Sequence, residues 1–200
     1  LGADGSYFLP TTIATARFPE GSGRLKTDAG EDLRTILLAA TEKAIEFDGQ
    51  LPRVAADHEQ ELSGPVIVTE SLEPGASPAR WLNGLCFRLR GLGASALVLE
   101  ADDSSPLWAM AAARHQTAWI PSPRSNFALP ILLVEKGKLP EQVVGQLDIP
   151  AVLTGESPVR NVAAIIRGTD EELADEAILF SAHVDHLGIG APGDDPIYNG

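Results

Sequence analysis

Pro65-Val66-Ile67-Val68-Thr69 and Ala94-Ser95-Ala96-Leu97-Val98-Leu99 are two short apolar runs, and the residues between them switch to another period. Short apolar runs bounded by turn residues read as buried strands. Between them Glu73-Pro74-Gly75-Ala76-Ser77-Pro78 is a turn that ends in a helix start. Ser77 suits the N-cap and Pro78 the first helical position, where its missing N–H costs nothing. Trp81, Leu82, Leu85, Leu89 and Leu92 then recur at helical spacing, with Arg80, Arg88 and Arg90 off that stripe and Gly91 and Gly93 as the stop. Strand, helix and strand in this order define an α/β unit.

Outward from this unit the chain keeps the same grammar. Asp102 to Pro106 is a loop, and Trp108 to Ala118 is a short Ala-rich piece carrying His115. Phe127 to Val134 reads as another buried strand, Leu139 to Leu147 as a short helix opened by Pro140, and Ala151 to Gly155 as a further strand. Upstream, Pro52 to Ser63 is polar. Its Asp57-His58-Glu59 triplet offers three potential ligands, but neighbours on an extended chain alternate faces and do not converge on one ion. A solvated loop is the reading. Before it, Asp28 and Glu31 form a capping-box-like start. Leu33, Ile36, Leu37, Ala40, Ala44 and Ile45 follow at helical spacing up to Asp48-Gly49, which predicts a helix. Two short extended segments, 34–38 and 43–47, are the competing reading. Asp4-Gly5 marks a turn, and Thr11 to Phe18 suit an extended strand.

Composition narrows the function. The chain has 200 residues and 44% hydrophobic content, enough for one large or two small domains with a core. A net charge of −13 argues against nucleic acid or an anionic membrane as partner. No apolar run reaches the length of a membrane span. Cys86 is the single cysteine, so no intrachain disulfide forms, and its apolar setting marks it as a small buried hydrophobe. Residues 80–100 set arginines near glycines, but neither G-x-x-x-x-G-K-[ST] nor G-x-G-x-x-G occurs there, which argues against a nucleotide-binding loop in that stretch.

The chemistry gathers at the other end of the chain. Asn161-Val162-Ala163-Ala164-Ile165-Ile166-Arg167-Gly168 precedes an acidic loop, Thr169 to Glu176. Then come Ile178-Leu179-Phe180-Ser181-Ala182-His183-Val184-Asp185-His186-Leu187-Gly188 and, last, Tyr198-Asn199-Gly200. The apolar runs predict two paired strands. His183 and Asp185, two apart, would stand on one face at the carboxyl end of the second strand. An imidazole that ligates with one nitrogen and donates its other N–H to a carboxylate is a common metal-site pairing. An ordinary loop start with a surface ion pair is the alternative on these residues alone.

In residue types and spacing, the run 161–200 resembles the opening of the catalytic domain in the M28 family of zinc peptidases. That family reads N-V-x-A-x-x-x-G, an acidic hairpin loop, S-A-H-x-D-H-L-G and Y-N-G-A-D-D. The resemblance implies His183 as the first zinc ligand and Asp185 as the catalytic carboxylate that orients it. It gives His186 a supporting role only. The order of elements over residues 60–158 is similar to the protease-associated domain, which that family inserts just ahead of the N-V-x-A strand. His115 is then structural.

The implied fold class is α/β (α+β): a protease-associated, swivelling β/β/α domain followed by the first hairpin of a zinc-exopeptidase sheet. The implied organisation is a lead-in over 1–20, the protease-associated domain over 21–158 and the start of the catalytic domain over 159–200. The implied activity is that of a secreted or periplasmic dizinc exopeptidase, most naturally an aminopeptidase acting on peptide or protein substrates. Its remaining ligands and general base would lie in sequence after Gly200, so residues 1–200 alone would be inactive. The alternative is a protease-associated binding module without catalysis.

Overall fold

The computed structural model describes residues 8–19, 23–28, 33–116, 118–119, 127–166, 169–173, 175–176 and 178–182. In chain order these form β1 (Phe8–Arg17), β2 (Arg24–Thr27), β3 (Thr35–Ala39), β4 (Ile45–Leu51) and β5 (Gly64–Thr69). Then follow α1 (Pro78–Gly91), β6 (Ala94–Ala101), α2 (Pro106–Gln116), β7 (Ile131–Glu135), β8 (Val143–Ile149) and β9 (Leu153–Val162). The protein is mixed α/β, mostly strands in several sheets with two helices among the described residues.

One sheet has the order β3-β7-β6-β5, and the strands β5, β6 and β7 run parallel while β3 is antiparallel to β7. A second has the order β2-β8-β4 and is antiparallel throughout. The side chains of the first sheet explain the layering. Leu38, Val66, Val68, Leu97, Leu99, Ile131 and Leu133 join Leu82, Leu85, Cys86 and Leu89 of α1 and Leu107, Trp108 and Ala111 of α2 in one core cluster. Their neighbours on the strands, Leu37, Ile67, Ala96, Val98, Leu132 and Val134, point the other way and pack on Leu25, Leu51, Val143, Leu147 and Ile149 of the second sheet. Helices, mixed sheet and antiparallel sheet therefore form three layers. The middle sheet is buried on both faces, which is why its strands read as continuous apolar runs.

β8 obeys the opposite rule. Its residues alternate buried and exposed from Val143 to Ile149, because only one face is covered. Gly145 sits where a Cβ would overlap the Lys26 carbonyl, so a side chain there would push β2 away. Gly93, at φ +106°, ends α1 in a conformation that favours glycine, and a Cβ there would strike the Leu62 carbonyl. Ser77 caps α1 as its sequence predicts, accepting from the Arg80 N–H at 3.4 Å, with Pro78 in the first turn.

Four predicted elements differ. The helix expected from Asp28 to Asp48 is instead β3 and β4, separated by a turn in which Thr41 Oγ1 donates to the Lys43 carbonyl at 3.0 Å. Leu37, Leu38 and Ala39 are all buried, so β3 lacks the period-2 signature and its apolar residues mimic helical spacing. The helix expected from Leu139 to Leu147 is the approach to β8 and its first part; the alternation of β8 outweighs Pro140 as a signal. Among the described residues, the strands expected at 161–167 and 178–182 are not seen beyond Val162, where β9 ends. A strand needs a ladder partner, and among the described residues Ile178 to Ala182 have none. β1 pairs with β9 in a separate two-stranded ribbon. The chain divides into a compact unit, Pro10–Asn161, and a second unit to which the residues from Val162 onward belong.

Candidate functional site

The three parallel strands end together, and the carboxyl end of such a sheet is where α/β proteins place ligands. There the loop after β5, the loop after β6 and Lys136 after β7 enclose a cleft of ≈ 350 Å³. Its polar wall includes Glu70, Glu73, Asp102, Ser104, Ser105 and Lys136. Each group has a local reason for its position. Ser105 Oγ donates to Glu70 Oε1 at 2.7 Å and accepts from the Leu107 N–H at 3.2 Å, so it caps α2 and ties the two loops together. Asp102 accepts from both Ser104 Oγ, at 2.7 Å, and the Ser104 N–H, at 3.1 Å. The Ser104 side chain and then its N–H hold the Asp102 carboxyl below its ordinary range, with a smaller contribution from Lys136. Trp108 Nε1 donates to the Asp102 carbonyl at 3.0 Å, fixing the turn from inside.

Behind this end of the sheet lies a buried charge. Glu100, 3% exposed, turns toward the space between the sheets, where Arg53 forms an ion pair with it. Thr69 Oγ1 donates to Glu100 Oε2 at 2.9 Å, from the neighbouring position across the β5–β6 ladder. Arg53 also donates to the Pro140 carbonyl at 3.2 Å, so one guanidinium anchors the segment that leads into β8. These contacts satisfy a charge that would be costly alone.

The cleft can bind a polar group, but its described lining contains neither histidine nor cysteine to activate a nucleophile. The Ser105 hydroxyl is already engaged at both ends. These residues were not anticipated as a site, because Asp102 to Pro106 reads as an ordinary loop. One signal was available. Ser105-Pro106 repeats the Ser77-Pro78 helix start, and acidic residues follow both β5 and β6 directly.

His183, Asp185 and His186 fall outside the described residues. The chain leading to them, Ile178 to Phe180, is 84%, 89% and 90% exposed. Among the described residues, no group of three or more His, Cys, Asp or Glu side chains could hold a metal ion. Asp57-His58-Glu59 stays in a loop without such a cluster. His115 places Nε2 2.7 Å from the Leu37 carbonyl on β3, and its ring lies 4.6 Å from that of Phe18. It is a packing and hydrogen-bonding group. Cys86 is fully buried, and burial pushes its thiol from 9.0 up to about 12, so it is inert as a nucleophile.

No family model matches this sequence, and no curated protein matches it.

Proposed function

We propose that this chain is part of a zinc-dependent exopeptidase, most naturally an aminopeptidase. In this reading the layered unit is a protease-associated module, and the residues from about 159 onward open the catalytic part. The observation that carries the reading is the order and spacing of Asn161 to Gly168, the acidic loop, Ser181-Ala182-His183-Val184-Asp185-His186 and Tyr198-Asn199-Gly200. Its support from architecture is the succession of helices, mixed sheet and antiparallel sheet, the β/β/α order that the resemblance implies.

The donor chemistry fits zinc, because neutral imidazole is a common ligand and a carboxylate two residues on can fix its tautomer. His183 would hold one of two ions, and Asp185 would accept the N–H of the ring nitrogen that is not bound. Zinc, when bound, polarises a scissile carbonyl and acidifies its water. His186 would support the loop without ligating. The cleft at the ends of β5 and β6 would serve binding of peptide or protein. Secretion or a periplasmic place goes with this reading, as does a preference for neither nucleic acid nor membrane.

A second reading, the same module acting without catalysis, is favoured by the compactness of Pro10–Asn161 as a unit. One assay on the natural full-length chain separates them: zinc content by elemental analysis and hydrolysis of an aminoacyl-nitroanilide. The wild type is expected to carry zinc and turn over. His183→Ala should abolish turnover and lower the zinc content, while His186→Ala should do less. Zinc content unchanged in His183→Ala removes that residue from the site, and a zinc-free, inactive wild type leaves the binding module. Residues 1–200 alone should not turn over substrate with added zinc.

A further inference from the structure

The outer face of α1 has the wrong chemistry for an exposed surface of this protein. The whole chain carries a net charge of −13. α1 carries Arg80, Arg88 and Arg90 and no carboxylate. Phe87, in the middle of that face, is 79% exposed. Side chains three and four positions away lie next to it, which places Arg90 and Asn83 beside the ring, and Arg80 shares the face two turns earlier. Arg88 is engaged at the Ala56 carbonyl at 2.7 Å, whereas Arg90 makes only a 3.4 Å contact with the Ala128 carbonyl. Gly84 and Gly91 flank Phe87 on the same face, and a Cβ at either would meet nothing within 4 Å. The fold itself therefore does not require glycine there, although glycine within a helix costs about 1 kcal/mol against alanine. Bare backbone beside an exposed ring permits close approach by another chain.

The complement is present in the same sequence. Asp170, Glu171, Glu172, Asp175 and Glu176 flank Leu173 in sequence, and Leu173 is 54% exposed. This segment has local order: the Glu172 N–H donates to Asp170 Oδ1 at 2.9 Å and the Glu176 N–H to the Leu173 carbonyl at 3.0 Å. It carries one exposed leucine among five carboxylates in sequence, the charge inverse of one aromatic side chain with arginines on its helix. Two copies of so acidic a chain repel over most of their surfaces, and α1 is a place where that repulsion reverses.

We infer that the outer face of α1, centred on Phe87 with Arg80 and Arg90, docks the 169–176 segment of a second copy of this chain. Each copy offers one α1 face and one acidic segment, so the contact joins unlike patches of two copies. Attraction between opposite patches steers encounter and weakens with salt.

Sedimentation equilibrium of the 200-residue chain over a range of concentrations tests this, with circular dichroism to confirm that each variant is folded. The expected result is a monomer–dimer equilibrium that shifts toward monomer as salt rises. Arg80→Glu with Arg90→Glu should weaken dimerisation by about tenfold or more, as should Glu171→Lys with Glu172→Lys. Phe87→Ser should weaken it without altering the salt dependence. Mixing the two charge-reversed proteins should restore association. A wild-type monomer at every concentration overturns the inference. So does association that survives the arginine reversal, or a mixture that stays monomeric.

Discussion

The run Leu97 to Leu99 of β6 and the segment Ile178 to Phe180 are equally apolar and have opposite fates. In β6, Leu97, Val98 and Leu99 are fully buried, with helices over one face and the antiparallel sheet over the other. Ile178, Leu179 and Phe180 are at least 84% exposed. The apolar run states a demand for burial; the layers that meet it come from distant parts of the chain. For β6 they come from β2, β4, β8, α1 and α2.

This contrast can be broken most decisively by hydrogen exchange. In a dilute monomer the amides of Val66 and Val98 should exchange only by global unfolding, which for domains of this kind costs roughly 5–15 kcal/mol. Those of Ile165 and Leu179 should show almost no protection. Equal protection at all four positions would make the 162–182 segment part of the same core. Truncation gives the next largest effect. Leu99→Ala should lower stability by about 3–5 kcal/mol in chemical denaturation, while Leu179→Ala should change it by less than about 0.5 kcal/mol. A costly Leu179→Ala would show hidden burial.

A polar version of the comparison comes third. Arg53→Ala leaves Glu100 buried with Thr69 as its remaining partner, and should cost about 3 kcal/mol. Arg34 with Asp103 is exposed on both sides, so Arg34→Ala should cost no more than about 1 kcal/mol. Similar losses from the two variants would mean that burial is not what distinguishes these pairs. The last comparison concerns Ser77→Ala, which should cost about 0.5 kcal/mol because the cap bond is long. Thermal melts of paired variants resolve a change of that size when several scans are averaged, and a loss above about 2 kcal/mol would mean that Ser77 does more than cap.

Legibility followed the physics of each element. α1 was readable because Ser77, Pro78, the leucine stripe and Gly93 all agree. β5, β6 and β7 were readable because parallel strands covered on both faces are continuous apolar runs. β3 was obscured by the same property, since Leu37 to Ala39 have no polar face to set a period. β8 displayed a strict alternation, yet Pro140 suggested a helix start. At the candidate cleft, a single sequence cannot show that Glu70 and Ser105, 35 positions apart, meet across a strand end. His183 and Asp185 carry their signal in sequence spacing alone and fall outside the described residues.

β3 is an outer strand of its sheet, and such a strand is a template on which another chain can add itself. Its Leu37 carbonyl is already occupied by His115. An imidazole reaching back from the last turn of α2 thus does more than pack against Phe18: it takes an acceptor that a stray strand would need to begin pairing. His115→Ala would free that acceptor and thin the cover over it. The consequence would appear less as lost stability than as a growing tendency to aggregate during heating or refolding.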